Sequence, residues 1–347
     1  MHQPIAITLG DPAGIGPEII AKAFRDAPDA TAGCFVAGDV ASMRRASACI
    51  AGPGLPALPV LALSSLDEAL QAPPRCIPVW QVGAAVPLVP LGQVSAQAGE
   101  LAGRCVVWAA EAALRGDIAA LVTAPLNKLA LSAAGAPYDA FPGHTELLQS
   151  LAARHAQVPV AQMPVRMMLA NDELRTVLVS IHVSLRDALD AVTPDNVSET
   201  LRITDRALHA LLGRRPRIAV AGLNPHAGEG GLFGREELEV IGPVIEAARH
   251  AGMDVHGPVA PDTVFMRARA TAGKPGEFDV VVAMYHDQGL IPVKYLGLDQ
   301  GVNVTLGLPL VRTSPDHGTA FDIAGTGQAD AASLMAALRM ARRLVGA

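Results

Sequence analysis

The chain contains few charged residues and very little lysine. Only 17% of its 347 residues are charged, the formal net charge is −6, and lysine occurs at four positions: 22, 128, 274 and 294. Proteins that bind nucleic acids usually gather lysine and arginine on one face. The composition therefore argues against a nucleic-acid partner, and it makes any lysine inside a polar motif notable.

Cysteine and membrane-type segments are also scarce. The four cysteines (34, 49, 76 and 105) form no CxxC pair, and each lies in an apolar context. This pattern predicts free thiols in a reducing compartment rather than disulfides or a zinc–thiolate site. The first residues show no secretory signal, and no 18-residue stretch is apolar without proline or charge. We therefore expect a cytoplasmic protein without a membrane partner.

Half of the residues are hydrophobic, which is enough for a large core. Short apolar runs alternate with segments of helical periodicity, and several runs are apolar throughout, as in a largely parallel sheet covered on both faces. The runs predict strands at 5–9, 34–38, 118–123, 218–222 and 280–284 and a hairpin of 165–169 with 176–181. Helices are predicted at 95–115, 193–212, 235–251 and 330–344, and an irregular connection at 52–75. The fold class predicted is α/β.

Two strand-to-helix turns carry polar or glycine-rich sequence. The turn 10–18, GDPAGIGPE, follows a predicted strand and places Pro17 in the first turn of a helix. Such a turn can receive an anion, or it can simply be a tight turn that needs small residues. The segment 123–128, TAPLNK, predicts either polar groups facing a cleft at a strand end or a plain helix start.

Four histidines lie just past an apolar strand or in a glycine- and proline-rich loop: His144, His182, His226 and His286. The spacing of the last three is too wide for a zinc finger. It suits a catalytic divalent metal whose ligands come from different strand ends. The alternative for each is a hydrogen-bonded loop histidine. Asp287, beside His286, is predicted to bind the metal or to orient a histidine.

Lys294, Asn303 and Arg312 recur at nine-residue intervals in an apolar setting. Lysine and arginine form a natural clamp for phosphate or carboxylate, although both could instead extend to the surface. The segment after them has small residues and a carboxylate that could accept a hydrogen bond from a ribose 2′-hydroxyl, which favours NAD over NADP. Its predicted cofactor-binding residues are His317, Gly318, Thr319, Ala320, Asp322 and Ile323.

Motifs along nearly the whole chain resemble those of the 4-hydroxythreonine-4-phosphate dehydrogenases of vitamin B6 biosynthesis. The last motif is also similar to the adenosine loop of isocitrate and isopropylmalate dehydrogenases. The motifs are ITLGDPAGIGPEI (7–19), TAPLNK (123–128), PGHTELL (142–148), GLNPHAGEGGLFGREE (222–237), PDTVF (261–265), AMYHDQGLIPVKYLG (283–297) and GVNVTLGLPLVRTSPDHGTAFDIAGTG (301–327).

The resemblance implies two α/β domains flanking a cleft, of the isocitrate dehydrogenase type. We expect residues 1–137 with 301–347 to carry the NAD loop, and residues 138–300 to carry the metal ligands and a dimer interface. It implies a homodimer with a shared active site, in which one divalent metal (zinc, magnesium or cobalt) is bound by histidines of both chains. The implied metal ligands are His182, His226 and His286, and the implied substrate-binding residues are His144, Thr145, Asp262, Lys294, Asn303 and Arg312.

The reaction implied is the NAD-dependent oxidation of 4-phosphohydroxy-L-threonine to a 3-oxo acid, which decarboxylates to 3-amino-2-oxopropyl phosphate. A metal at the hydroxyl oxygen would stabilise the developing negative charge. Lys294 and Asp287 are the predicted catalytic residues. For Lys294, proton transfer and charge stabilisation both remain open.

Three other functions fit parts of the pattern. Relatives of similar sequence oxidise D-threonate or D-erythronate 4-phosphate, or a cis-dihydrodiol dicarboxylate. Phosphate acyltransferases share the broad fold and bind a phosphorylated substrate without metal or NAD, which would leave the three histidines without a role. A non-catalytic protein that binds a metal or a nucleotide is the third alternative.

Overall fold

The computed structural model describes residues 3–297 and 300–346. The strands are β1 (Ile5–Thr8), β2 (Cys34–Gly38), β3 (Val60–Ala62), β4 (Ile77–Gln81), β5 (Ala120–Thr123), β6 (Arg166–Ala170), β7 (Arg175–Leu178), β8 (Ile218–Ala221), β9 (Val255–Val259), β10 (Val280–Ala283), β11 (Val302–Leu306) and β12 (Arg312–Pro315). The helices are α1 (Gly16–Asp26), α2 (Pro28–Thr31), α3 (Val40–Cys49), α4 (Glu68–Gln71), α5 (Ala96–Arg115), α6 (Lys128–Ala133), α7 (His144–Ala156), α8 (Leu185–Asp190), α9 (Pro194–Leu212), α10 (Gly242–His250), α11 (Pro261–Ala268), α12 (His286–Tyr295) and α13 (Ala332–Val345). The α/β fold class is confirmed.

The described chain forms two compact units. The first contains the residues up to Met163 together with Leu308–Val345, and the second contains Pro164–Gly307. The first unit extends beyond the boundary expected at residue 137 because α7 packs against α5. The second unit extends beyond residue 300 because β11 pairs with β6. His144 and Thr145 thus belong to the first unit, and Asn303 belongs to the second.

In the first unit, the strand order is β3-β4-β2-β1-β5-β12, and all of the strand pairs are parallel. Every residue of β1, β2 and β5 is buried. Strands that are covered on both faces need apolar side chains throughout. The sequences of these three strands are therefore nearly continuous apolar runs and do not alternate between apolar and polar residues. The segment 52–75, expected to be irregular, contains the short strand β3 and the helix α4. The expectation was wrong for these two elements, and β3 forms because it pairs with β4, the next strand along the chain.

The long helix α5 has the ends that its sequence predicts. The Ser95 side chain accepts a hydrogen bond from the Ala98 amide at its start, and Gly116 takes a left-handed conformation (φ 79°) at its end. One face of α5 lies close to α6. A Cβ on Gly99 would stand 1.9 Å from the carbonyl oxygen of Ala130, so only glycine fits there.

In the second unit, the strand order is β11-β6-β7-β10-β8-β9. β6 is antiparallel to β11 and to β7, and the other pairs are parallel. The predicted hairpin is confirmed as β6–β7, where the side chain of Asn171 accepts hydrogen bonds from the amides of Glu173 and Leu174. The predicted helix 235–251 is divided into a π-helical turn, Glu237–Ile241, and α10. Within the described residues, no helix is both long and apolar enough to cross a membrane.

Candidate active site

The three predicted metal-binding histidines follow three neighbouring parallel strands of the second unit. His182 follows β7, His286 follows β10 and His226 follows β8, and these strands lie side by side in the order β7-β10-β8. The carboxyl ends of parallel strands meet at one edge of a sheet, where ligands of α/β proteins commonly bind. The topology therefore gathers the histidines at one edge, although 104 residues separate the first from the last.

His182 and His286 lie close together. Their ring centroids are 5.7 Å apart, and both side chains line a concave surface with Tyr285 and Asp287. Nδ1 of His286 lies 2.7 Å from a carboxylate oxygen of Asp287. A carboxylate on one ring nitrogen orients the imidazole and leaves the other nitrogen for a metal. Asp287 is thus placed to orient His286, one of the two roles predicted for it.

His226 lies in a left-handed turn. Six consecutive residues have positive φ: His226 (53°), Ala227 (53°), Gly228 (80°), Glu229 (44°), Gly230 (65°) and Gly231 (99°). This conformation is unfavourable for residues with a Cβ, by about 1–2 kcal/mol each. Strained backbone of this kind is often found at functional sites.

The carboxylate of Glu237 stabilises this turn. Glu237 is buried, and Oε1 accepts hydrogen bonds of 2.7 Å from the amides of Leu223 and Asn224. A Cβ on Gly228 would lie 2.7 Å from Oε2 of Glu237, so the turn packs directly against the carboxylate. The residues that precede His226 are therefore fixed by a side chain eleven positions later.

His226 and Asp262 line a second concave surface, to which Tyr285 and Asp287 also contribute. The two concave surfaces adjoin because they share those two residues. Asp262 lies in the first turn of α11. The predicted metal ligands and two predicted carboxylates therefore surround one region of the second unit.

Imidazole donors suit zinc and other divalent first-row metals, and a catalytic zinc usually has three protein ligands. Across residues 3–297 and 300–346, no group of three or more histidine, cysteine, aspartate or glutamate side chains is arranged to hold a metal within a single chain. The His182–His286 pair supplies two donors of the right chemistry. The donor set fits a divalent metal when a further ligand joins this pair, as in a site shared between two chains.

Lys294 and Asn303 lie in the second unit. Lys294 is in the last turn of α12, the helix that His286 begins. The buried face of α12, which includes Leu290 and Val293, packs in the core cluster with Leu178 of β7. Asn303 lies on β11, opposite Leu169 of β6. α12 therefore positions a predicted metal ligand and a predicted catalytic lysine on one rigid element.

In the first unit, Arg312 is almost fully buried, with 4% of its surface exposed. Its Nε and Nη2 donate hydrogen bonds of 3.1 and 2.7 Å to Oγ1 of Thr123. Burial lowers the pKa of Arg312 to about 10, and the nearby charge of Glu146 opposes the shift. Arg312 is thus a desolvated cation at neutral pH, which is suited to binding an anionic group.

His144, at the start of α7, lies near Arg312. Its Nε2 is shielded from solvent and has no hydrogen-bond partner within the described part of the chain. Burial, followed by the charges of Arg312 and Lys128, holds the pKa of His144 well below 6.5. The imidazole is therefore neutral at physiological pH, with a ring nitrogen available to a ligand. Thr145 follows it in the first turn of α7.

The TAPLNK segment has two roles in this unit. Asn127 caps α6, since its side chain accepts a hydrogen bond of 3.0 Å from the Ala130 amide. This confirms the helix-start interpretation for Asn127. Thr123 instead orients Arg312, which sequence reasoning did not predict.

The predicted cofactor loop connects β12 to α13. Nε2 of His317 is buried without a hydrogen-bond partner among the described residues, and a Cβ on Gly318 would meet open space. Ala320 has a positive φ of 39°, and Asp322 is exposed. A free ring nitrogen, an open backbone and an exposed carboxylate fit the adenosine end of NAD.

Comparison with known proteins identifies the family. A family model described as "Pyridoxal phosphate biosynthetic protein PdxA" matches residues 30–341. The chain belongs to the PdxA family. A 4-hydroxythreonine-4-phosphate dehydrogenase of Beijerinckia indica is 50% identical over 345 residues, which cover 99% of this chain and 96% of that protein. A D-threonate 4-phosphate dehydrogenase of Salmonella typhimurium is 47% identical over 343 residues, which cover 99% of each protein.

A solved structure supports the same assignment. The crystal structure of 4-hydroxythreonine-4-phosphate dehydrogenase from Klebsiella pneumoniae matches with a TM-score of 0.83 and 41% identity, over 99% of each chain. The resemblance found in the sequence motifs is therefore confirmed at the level of family and fold.

Sequence reasoning missed the residues that support the site, namely Glu18, Thr123 and Glu237. Glu18 and Glu237 occur in quoted motifs, but a glutamate in a sequence does not reveal whether it is buried. Both are 3% exposed. A buried carboxylate requires hydrogen-bond donors, and most of the donors here are backbone amides, which no residue pattern identifies.

Proposed function

We propose that this chain is a metal-dependent NAD oxidoreductase that oxidises 4-phosphohydroxy-L-threonine to the 3-oxo acid. The product decarboxylates to 3-amino-2-oxopropyl phosphate, a step in pyridoxal phosphate biosynthesis. The observation that supports this proposal most strongly is the 50% identity, over 99% of the chain, to a 4-hydroxythreonine-4-phosphate dehydrogenase. The chemistry of the two units supports this assignment.

When bound, NAD supplies the hydride acceptor and a divalent cation supplies a Lewis acid for the hydroxyl oxygen. The buried cation of Arg312 binds an anionic end of the substrate, and Thr123 keeps its guanidinium in place. Neutral His144, with Thr145, makes hydrogen bonds to polar substrate groups. Lys294 accepts the hydroxyl proton or stabilises the charge that develops on that oxygen. Asn303 completes the substrate contacts.

In the second unit, we propose that His182, His226 and His286 bind the metal in a homodimer, with ligands drawn from both chains. The need for a second chain is supported by the histidine pair, which lacks a third ligand within one described chain. Elemental analysis of the purified protein is expected to find a divalent metal, which His226→Ala loses. His256→Ala is the matched control, because His256 is an exposed histidine of the same unit that contacts Asp254. Full metal occupancy in His226→Ala would contradict the ligand assignment.

Exposed apolar side chains near the histidines support the dimer. Val183 and Leu185 are 54% and 62% exposed beside His182, and Ile291 and Tyr295 on α12 are 61% and 90% exposed. Apolar patches of this kind on a soluble protein commonly mark an interface. A second copy of the chain would cover them while it completes the metal site.

Light scattering tests the dimer directly. We expect a dimer for the wild type and a shift towards monomer, with loss of metal, for Leu185→Asp. Leu88→Asp is the control, because Leu88 is 49% exposed but lies in the first unit. A monomeric wild type with full activity would exclude a shared site.

A second candidate function is the oxidation of D-threonate 4-phosphate, which the 47% identity to the Salmonella enzyme favours. The two substrates differ at C2, where one has an ammonium group and the other a hydroxyl. The carboxylates of Asp262 and Asp287, which line one concave surface, favour the ammonium group.

A steady-state assay of NAD reduction separates the candidates. We expect a higher kcat/KM with 4-phosphohydroxy-L-threonine than with D-threonate 4-phosphate. Asp262→Asn is expected to reduce that preference. Activity on the threonate alone would establish the second function, and no NAD reduction with either substrate would exclude both.

A further inference from the structure

The loop proposed to bind NAD is anchored by α1. Hydrogen bonds within the loop are short-range: the amides of Ile323 and Thr326 donate to the carbonyl oxygens of Ala320 and Ile323 over 3.2 Å each. These bonds shape the loop but do not fix its orientation. Its contacts with α1 and with the segment before α1 provide that orientation.

The far end of the loop is bonded to two charged side chains of α1. Glu18 is buried, and its carboxylate accepts hydrogen bonds from the amides of Gly325 (3.2 Å) and Ala329 (2.9 Å). Lys22, one helical turn later, donates to the carbonyl oxygens of Gly327 (2.7 Å) and Ala329. Nζ of Lys22 is also 3.5 Å from Glu18 Oε1. The pair therefore binds both the donors and the acceptors of this backbone.

The near end of the loop rests on the segment before α1. The Ile15 amide donates to the carbonyl oxygen of Thr319 over 3.0 Å. A Cβ on Gly14 would lie 2.9 Å from Thr319, so this glycine allows the close approach. Phe321 packs against a small apolar cluster that includes Ala13. The loop is thus held at both ends of the part proposed to contact adenosine.

These contacts also bear on the glycine-rich turn 10–18. Three of its amides are already used, because Ala13 donates to the Asp11 side chain (2.8 Å), Gly14 to the Asp11 carbonyl oxygen (3.0 Å) and Ile15 to the Thr319 carbonyl oxygen (3.0 Å). A helix N-terminus binds an anion only through amides that have no other acceptor. The turn therefore supports the loop and does not receive an anion through these three groups.

We infer that Glu18 and Lys22 are positioning residues for a nicotinamide adenine dinucleotide, acting through the loop 317–329 without touching the cofactor. The inference rests on the proposed function, in which that loop binds NAD. Charge-assisted hydrogen bonds to two amides and two carbonyl groups hold the loop backbone in the shape that meets adenosine. A loop ordered before binding loses less entropy when the ligand arrives.

The test measures NAD binding by calorimetric titration, together with KM for NAD, KM for the phosphorylated substrate and kcat. Glu18→Gln replaces one carboxylate oxygen by an NH2 group, which cannot accept a hydrogen bond, so the amide of either Gly325 or Ala329 loses its acceptor. We expect its Kd and KM for NAD to rise about tenfold, which corresponds to about 1.4 kcal/mol. We expect kcat and the KM of the phosphorylated substrate to stay within about twofold of the wild-type values, well below the roughly tenfold rise expected for NAD.

Lys22→Met is the second variant, and it keeps the aliphatic part of the side chain while it removes both donated bonds. It is expected to weaken NAD binding in the same way, and Lys22→Arg is expected to restore it. Glu111→Gln is the control, because Glu111 forms an exposed ion pair with Arg154 in the same unit. If Glu18→Gln does not fold, Lys22→Met and Lys22→Arg carry the test.

The outcomes separate this inference from the proposed function. A wild type that does not bind NAD would refute the cofactor assignment itself. A wild type that binds NAD, with variants of unchanged NAD affinity, would overturn only the positioning role. An equal rise in both KM values would also overturn it, since that result indicates general destabilisation.

Discussion

The carboxylate of Glu237 holds both the backbone and the side chain of Asn224. Oε1 accepts from the Asn224 amide over 2.7 Å, and Oε2 accepts from Asn224 Nδ2 over 2.9 Å. Asn224 stands two residues before His226, where the left-handed turn begins. A buried carboxylate therefore balances the strain of the turn that presents a proposed metal ligand.

Glu237→Gln is expected to weaken metal binding by about 10- to 100-fold, the usual effect of losing a partner that orients a ligand. Glutamine cannot accept hydrogen bonds at both side-chain positions, so either the Asn224 side chain or the amides of Leu223 and Asn224 lose their acceptor. Titration of the metal-free protein with zinc measures the effect. Glu239→Gln is the control, since Glu239 is 58% exposed and bonds only Arg235 among the contacts seen in the described chain. Equal zinc affinity in both variants would refute the role of Glu237.

Arg312→Lys is expected to raise the KM of the phosphorylated substrate. Lysine keeps the charge, but its ammonium group lacks the planar arrangement of donors with which the guanidinium of arginine can bond Thr123 and an anion at the same time. A lost hydrogen bond to a charged group is worth about 1.5–3 kcal/mol, which is about 10- to 100-fold in affinity. Steady-state kinetics gives the value, and Arg154→Lys, at an exposed ion pair, serves as the control. An unchanged KM would remove Arg312 from the substrate site.

The low pKa of His144 predicts a loss of stability in mild acid. Because its folded-state pKa lies well below the 6.5 of an exposed histidine, the unfolded chain takes up the proton first as the pH falls. The contribution of His144 is therefore complete above pH 6.5 and declines below it, by at most about 1.4 kcal/mol per pH unit for one proton.

Urea unfolding between pH 5 and pH 7.5 tests this prediction. His144→Gln is expected to flatten the decline in the free energy of unfolding below pH 6.5. His155→Gln, on the exposed face of the same helix, is expected to follow the wild type. The prediction fails if His144→Gln and the wild type have parallel profiles.

Gly99→Ala is expected to destabilise the first unit by about 1–3 kcal/mol, the usual cost of overpacking. The added Cβ would stand 1.9 Å from the carbonyl oxygen of Ala130, so α5 and α6 would have to separate. Thermal unfolding measures the change. Gly52→Ala is the control because its Cβ would meet open space, and an equal Tm for both variants would contradict the packing argument.

Local signals predicted much of the fold. The bounds of α5 follow from the Ser95 cap and the left-handed Gly116, which act within a few residues. Strand runs and the β6–β7 hairpin were predictable for the same reason. The short strand β3 was not, because its pairing with β4 is its main support.

The candidate site was only partly predictable. The strand-end contexts of His182, His226 and His286 indicated a shared chemistry, but the sequence does not contain the strand order that makes β7, β10 and β8 neighbours. For the glycine-rich turn 10–18, the sequence permitted a function that the structure does not support at three of its amides. Its pattern permitted an anion site, and only the hydrogen bonds of Ala13, Gly14 and Ile15 showed that these amides are already bonded.

The sequence by itself determined the family, the alternation of strands and helices, and the chemical types of the site residues, because these depend on composition and on motifs that are local in the chain. The tertiary structure decided which of those residues are buried and what they bond. Arg312 and Thr123 are 189 residues apart, and Glu18 and Ala329 are 311 apart. Burial and pairing at such separations arise only when the chain has folded, so the residues that position the site became visible only in the structure.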